Sequence, residues 1–278
     1  MLITVASGKG GTGKTTFSCS LAEYLSREHD IEFFDCDVEA PNSHIFLKPE
    51  IRETESVNLL IPEVDMSGCT LCGKCSDFCR YNALAVIKKT EKVLIFNELC
   101  HGCGGCFYVC PENAITEKER PVGRIRRGPS GGGRISFAGG ELEAGEMSGV
   151  PVINKMKDYM KSDRLNIIDA PPGNGCAATA AIADTDFLIL VTEPTPFGLY
   201  DLELTVKLAE SMNKEFAIVI NKVFEEDNII TEYCRRNDFD CLGSISFDKA
   251  IAEKYSAGET PGIPEMKKIT DNLKEKLL

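Results

Sequence analysis

The chain has 278 residues, 43% of them apolar, enough for one large domain or two smaller ones with a sizeable core. A formal net charge of −12 argues against non-specific nucleic-acid binding. No apolar stretch nears the roughly 20 residues of a membrane span, and the apolar run at residues 2–6 is short and lacks the basic flank of a secretory signal. A cytoplasmic protein is expected, with no nucleic-acid partner and no stable membrane association.

In chain order, Leu2–Ala6 is a β-branched apolar run that ends at glycines and reads as a buried strand. Gly8, Lys9, Gly10, Gly11, Thr12, Gly13, Lys14 and Thr15 follow, in the G-x4-G-K-[ST] spacing of a phosphate-binding loop. Its glycines let backbone N–H groups converge on phosphate oxygens, and the dipole of the helix that follows favours the same charge. Lys14 is placed to meet the β- and γ-phosphates, and the Thr15 hydroxyl to reach Mg2+. An amphipathic helix is predicted from Lys14 to Glu28, with Phe17, Leu21 and Leu25 on one face. Ile31–Phe34 reads as a second strand and ends at Asp35.

Two cysteine runs come next, Cys69-x2-Cys72-x2-Cys75-x3-Cys79 and, thirty-one residues on, Cys100-x2-Cys103-x2-Cys106-x3-Cys110-Pro111. This is the ligand run of bacterial-type ferredoxins, where the first three thiolates hold one [4Fe–4S] cluster and the fourth holds the other. Cys69, Cys72, Cys75 and Cys110 are assigned to one cluster, and Cys100, Cys103, Cys106 and Cys79 to its twin. Clustered CxxC runs point to metal in a reducing compartment rather than to disulfides. Zinc takes four ligands, and the repeated spacing with Cys110-Pro111 fits iron–sulfur better. Arg80 stands where ferredoxins often have proline. Asn82–Leu84 and Asn113–Ile115 follow the two runs, so the segment reads as an internal repeat. Between them Ala85–Ile87 and Val93–Phe96 are predicted to pair as small strands. So short a segment buries little apolar surface and is expected to need its clusters to fold.

From Arg120 to Arg134 there are five arginines and no acid, which reads as a solvated loop or as a docking patch for an acidic partner. Alternation over Arg134–Phe137 and the pair Gly139-Gly140 before Glu141 read as a hairpin that links the insert to the sheet, with a flexible linker as the alternative. Buried strands are predicted at Leu165–Ile168, Phe187–Val191, Phe216–Ile220 and Leu242–Ser246, with helices at Asp201–Met212 and Ile229–Asn237. The alternation argues for a parallel sheet covered on both faces. Met266, Ile269, Leu273 and Leu277 form an apolar stripe, read as a docked final helix rather than a membrane-binding one. The expected division is a phosphate-loop domain in two parts, 1–63 and 151–278, an insert at 64–117 and a connector at 118–150.

Lys9 sharpens the reading. Residues 9–16, Lys-Gly-Gly-x-Gly-Lys-Thr-Thr, resemble the deviant Walker A of the MinD/ParA/nitrogenase-iron-protein superfamily. With the insert, the whole chain resembles MinD/ParA/Mrp-superfamily P-loop ATPases that contain an inserted bacterial-type two-cluster ferredoxin domain. Asp35–Asn42 resembles switch I, Ile167–Gly173 resembles Walker B running into switch II, and Asn221-Lys222 resembles the adenine-reading position; Glu193-Pro-Thr195 is also similar. The resemblance implies an α/β P-loop NTPase with a mainly parallel sheet, helices on both faces and an inserted α+β ferredoxin-like domain. It implies ATP and Mg2+ bound by Gly8–Thr16 (Thr16 included), Asp35, Asp37, Asp169 and Asn221. Lys9, Lys14 and Asp37 are the implied catalytic residues, with Lys9 reaching the partner's nucleotide across a dimer and Asp37 positioning the attacking water. Asp169 is implied near magnesium. An ATP-dependent homodimer and a redox or metallocofactor-pathway protein partner follow. The implied activity is ATP hydrolysis coupled to gated electron transfer or to cluster assembly; the alternative is a spatial or partitioning ATPase with structural clusters. The C-terminal CxxC of cluster-carrier relatives is absent. Cys36 and Cys176 fall in the inferred switches, and Cys176 resembles a switch-II cluster ligand of the nitrogenase iron protein, so metal shared across a dimer is a further expectation.

Overall fold

The computed structural model describes residues 1–277. Strand β1 (Leu2–Ala6) leads through the phosphate loop into α1 (Lys14–Leu25), and β2 (Ile31–Asp35) and the short α2 (Ser43–Leu47) follow. A long strand β3 (Glu53–Val64) runs out to the insert, which holds α3 (Lys74–Phe78), β4 (Leu84–Ile87), β5 (Lys92–Ile95) and α4 (Gly105–Tyr108). Strand β6 (Ile115–Ser130) returns, and β7 (Ile135–Leu142) and α5 (Val150–Lys157) rejoin the body. Strict alternation then resumes with β8 (Leu165–Asp169), α6 (Cys176–Ile182), β9 (Phe187–Thr192), α7 (Pro196–Ser211), β10 (Phe216–Val223), α8 (Ile229–Asn237) and β11 (Cys241–Ser246). Helices α9 (Lys249–Ser256) and α10 (Met266–Leu277) close the chain's described part.

Nine strands make one sheet in the order β11-β10-β9-β1-β8-β2-β7-β6-β3, parallel from β11 through β7 and antiparallel at β6 and β3. Successive residues of a strand face opposite sides, so each strand feeds two cores. Ile3 and Val5 pack with Phe17 and Leu21 of α1 and with Met266, Ile269 and Leu273 of α10. Leu2, Phe34 and Ile168 pack with α5, α7 and α8 on the other face. The final apolar stripe is therefore docked, as its pattern predicts. Burial of each large side chain contributes about 1.5–3 kcal/mol, so two such cores hold the sheet without help. Helix α7 starts five residues earlier than the periodicity indicates, because Thr195 Oγ1 accepts the Gly198 N–H at 2.9 Å and Pro196 is preset for the first turn.

The connector departs from expectation. Gly139 and Gly140 do not turn the chain; they lie within β7, which pairs with β2 on one side and β6 on the other. The turn between β6 and β7 falls at Gly131–Gly133. Gly140 is small for packing reasons, since a Cβ there would stand 2.6 Å from Met156 Sδ. Strand β3 went unpredicted because it is an edge strand that mixes polar and apolar residues without a buried run; it pairs with β6 from Glu53↔Arg127 to Val64↔Ile115. A bulge puts Pro121 opposite Asn58, where a missing N–H is tolerated. The arginines do not lie in a loose loop: Arg120, Arg124, Arg126 and Arg127 stand on β6, and Arg134 just before β7. Arg120 pairs with Glu146, Arg124 and Arg126 with Glu141, and Arg127 with Glu53, while Arg134 donates to the carbonyls of Ser26 and Arg27.

At the ribbon's end the repeat is written into the backbone. Leu71, Gly73 and Asn82 have positive φ, and so do Gly102, Gly104 and Asn113, each thirty-one residues later. Ala83 and Ala114 N–H groups point at the Sγ atoms of Cys79 and Cys110, both at 3.3 Å. Strands β4 and β5 pair antiparallel. The insert's own buried cluster is Leu84, Cys106 and Ile115.

Candidate functional site

The phosphate loop lies beyond the carboxyl end of β1, between β8 and β9, where parallel α/β sheets open a crevice. Gly13 precedes α1 at φ 89°, and a Cβ there would lie 2.1 Å from Asn221 Nδ2; only glycine fits. The Asn221 amide donates to the Thr12 carbonyl at 2.8 Å, bracing the loop from β10. Lys14 Nζ meets Asp169 Oδ1 at 2.8 Å, and Thr15 and Ser43 hydroxyls donate to Asp169 Oδ2 at 2.7 and 3.3 Å. Burial opposes the Lys14 charge, yet Asp169, with Asp37 and Asp35 behind it, raises its pKa overall. Lys9 Nζ pairs with Glu193 Oε1 at 2.5 Å within the chain. Lys222 Nζ shares that carboxylate at 3.1 Å and reaches the Gly11 carbonyl at 2.6 Å.

The two switch aspartates are unlike. Asp35 is fully buried and accepts N–H groups of Asn42 and Ser43 at 3.1 and 2.9 Å. Burial and the neighbouring Asp169 charge push its pKa up to about 7. Asp37 instead lines the pocket with Lys9, Gly10, Gly11, Gly13, Lys14 and Thr15. Its pKa is also raised, chiefly by burial, with Lys14 opposing. Gly8 stands off the pocket because α7 crowds it: a Cβ would be 2.4 Å from the Asp201 carbonyl. Thr16 lines the pocket, and Thr12 is buried with a hydroxyl lacking a partner.

The pocket's far end was not anticipated. Phe247, Asp248, Ile251 and Tyr255 line it, from the turn after β11 and from α9. Their one sequence signal is position: they follow a strand's carboxyl end, like every other wall of the crevice. Cys36 is wholly buried in the core, which corrects the expectation that it binds shared metal. Cys176 is exposed at the start of α6.

The insert gathers its cysteines in two pockets. Cys69, Cys72, Cys75 and Cys110 line one with Val64, Val86, Val93 and Ile115. Cys79, Cys100, Cys103 and Cys106 line the other with Phe78, Tyr81 and Leu84. Each set thus takes its fourth member from the opposite run. All eight thiols are free. Burial raises the pKa of Cys75 and Cys100 and pushes Cys106 up to about 11, so ionising these thiols needs a nearby positive charge. Among the described residues, no three His, Cys, Asp or Glu side chains converge tightly enough for a single ion, whose ligands lie within about 2.3 Å of it. Nor is any described helix long and apolar enough to cross a membrane.

The model of the CobQ/CobB/MinD/ParA nucleotide-binding domain matches residues 3–261. Two uncharacterised proteins of Methanocaldococcus jannaschii are similar along most of the chain. One is 30% identical over 94% of this chain and 91% of its own length, the other 34% identical over 80% and 78%. An iron–sulfur cluster carrier protein of Rickettsia bellii is 46% identical over 55 residues, 19% of this chain and 17% of its own. Among solved structures, the Pyrococcus furiosus cell division ATPase MinD superposes with a TM-score of 0.60 at 18% identity, over 100% of this chain and 99% of that one. At that identity the likeness concerns the fold.

Proposed function

Since the chain belongs to the CobQ/CobB/MinD/ParA nucleotide-binding family, we propose that it is an ATP-hydrolysing iron–sulfur protein in which a MinD-like switch acts on two [4Fe–4S] clusters. The work done is gated electron transfer to a metallocofactor, or that cofactor's assembly. The observation that carries this reading is the crossed grouping of cysteines, three from one run with one from the other, in both pockets. Four thiols lining one pocket, twice over, support a cluster as the group each would hold. Bound iron would supply the positive charge that ionises the Cys75, Cys100 and Cys106 thiols. The Ala83 and Ala114 N–H groups then become hydrogen bonds to thiolate, one of the protein's means of setting potential. Residues 64–117 are the cluster-binding domain in this reading, borne on the β3–β6 ribbon.

In the nucleotide pocket Lys14 serves the phosphates and Thr15 and Asp169 serve Mg2+. Asp37, on the pocket wall, orients water for attack, and the α9 side supplies an apolar wall for the base. Asn221 braces the loop and borders the base. Lys9 leaves Glu193 to engage the partner's nucleotide in an ATP-dependent homodimer. Asp35 acts indirectly, by holding the Asn42–Ser43 turn. The alternative, a spatial or partitioning ATPase with structural clusters, draws on the MinD likeness in fold. Anaerobic reconstitution tests the first reading: iron and sulfide should reach two four-iron clusters per chain, with ATP turnover. Iron uptake of a single ion, or tight binding to liposomes or DNA at moderate salt, would sink it in favour of another.

A further inference from the structure

The ribbon is not the sole joint between nucleotide pocket and insert. Val38, the residue after Asp37, is buried, and its carbonyl accepts the Leu142 N–H at 2.8 Å. Its side chain occupies the space left by two glycines. A Cβ on Gly140 would stand 2.7 Å from Val38 Cγ1, and one on Gly149 would stand 2.4 Å from Val38 Cγ2. Residues 140–149 therefore grip Val38 at both ends. Between those ends the Glu143 N–H binds the Val122 carbonyl of β6 at 3.0 Å. Glu146 takes the Arg120 guanidinium with both carboxylate oxygens, one arm at 3.0 Å. The pair is largely shielded, with 17% and 12% of the side chains exposed.

Arg120 in turn bears on the second cysteine pocket. Its partner Glu146, together with Ser148, shares a groove with Cys100 and His101. The pocket of Cys69, Cys72, Cys75 and Cys110 has no wall from this segment. Close packing leaves Val38 no slack, so a displacement at Asp37 must be passed on. Charges shielded from water act strongly on their neighbours, and nearby charge is a lever on iron–sulfur potential.

We propose that Arg120 and Glu146 are positioning residues through which nucleotide at Asp37 shifts the potential of the cluster held by Cys79, Cys100, Cys103 and Cys106, and not of its twin. The inference rests on the two-cluster reading above. Linkage makes the effect reciprocal: reduction of that cluster changes nucleotide affinity by the same factor.

The test is an anaerobic redox titration of the reconstituted full chain by EPR, with MgADP, with the Mg complex of the non-hydrolysable analogue AMPPNP, and without nucleotide. At least one nucleotide should shift one cluster by tenfold in its equilibrium constant, 59 mV for one electron. Cys72→Ser should keep the shift, and Cys103→Ser should lose it. Glu146→Gln should abolish it with iron content and nucleotide affinity of the oxidised protein retained, and Arg120→Lys, which keeps the charge, should restore part of what Arg120→Gln loses. A shift that survives Glu146→Gln and Arg120→Gln, or that belongs to the other cluster, overturns the inference. Unshifted potentials in a loaded, nucleotide-bound chain overturn it alone; a chain that takes up no iron overturns the proposed function and this inference together.

Discussion

Strands β1, β2 and β9 of the body are buried along their whole length, whereas β4 of the insert buries one residue and β5 none. The body's two cores span its sheet; the insert's core is Leu84, Cys106 and Ile115. Ordering a residue's backbone costs roughly 1–2 kcal/mol, and burying a large side chain contributes only about 1.5–3 kcal/mol. The body can meet that cost from burial, and the insert cannot. One chain thus holds two regions with different sources of stability, and the second must draw on its ligands or on the ribbon. Under the proposed two-cluster reading, metal binding would be folding free energy for this module.

Iron removal separates the two regions most sharply. In chelated protein, amide exchange across residues 65–114 should approach the unfolded rate, while β1, β8 and β9 keep protection near the global limit. Equal protection in both regions would show the insert to be self-sufficient. Next in size is Lys14→Ala. Nucleotide affinity should fall more than about a hundredfold, roughly 2.7 kcal/mol, and the body should lose roughly 3–5 kcal/mol of stability because Asp169 is left buried and unpaired. Iron content should stay unchanged, and calorimetry with an iron assay reads all three. Iron loss alongside would mean that the regions do not fold separately.

How much of this is legible in the sequence also differs by region. The body's strands are apolar runs with both faces covered, so Leu2–Ala6 and Phe187–Thr192 announce themselves. The repeat of the insert is legible for a different reason: cysteine spacing is a local property, and the backbone repeats with it at Gly73 and Gly104. Elements set by long-range pairing are not legible. Strand β3 mixes polar and apolar residues without a buried run, and its partner β6 is some sixty residues away. Gly139-Gly140 has the composition of a turn, yet the crowding of Val38, Val152 and Met156 is what demands glycine at 140. The α9 wall of the pocket carries no motif, since an apolar wall asks for shape and not for a fixed residue type.

Lys9→Ala probes the body without touching a core. Its Glu193 partner keeps Lys222, and a partly exposed ion pair contributes about 0–1 kcal/mol. Stability and nucleotide affinity should hence change less than about threefold. Turnover should fall more than about tenfold, roughly 1.4 kcal/mol in the barrier, since in the proposed cross-dimer role the lysine acts only in the transition state. Wild-type turnover in steady-state assays of the variant would remove the cross-dimer role.

A pH dependence confined to the body draws the comparison more finely. Burial and the Asp169 charge raise Asp35 from 3.8 to about 7 in the folded, nucleotide-free chain. Between those values the folded state binds more protons at Asp35 than the unfolded state does. Stability contributed by this group is therefore greatest at low pH, declines as pH rises from about 4 to 7, and is flat above. Carboxylates lowered by cationic partners, such as Glu141, work in the opposite direction and lose their contribution as pH falls. The informative quantity is thus the difference between wild type and Asp35→Asn, whose amide oxygen can still accept the Asn42 and Ser43 N–H groups. Denaturant titrations of the body at pH 5 and pH 7.5 should show the variant gaining on the wild type by about 1–3 kcal/mol toward the higher pH. The exchange protection of the insert should not follow. A constant difference would mean that Asp35 is ionised throughout, with Lys14 and the three backbone donors outweighing its burial.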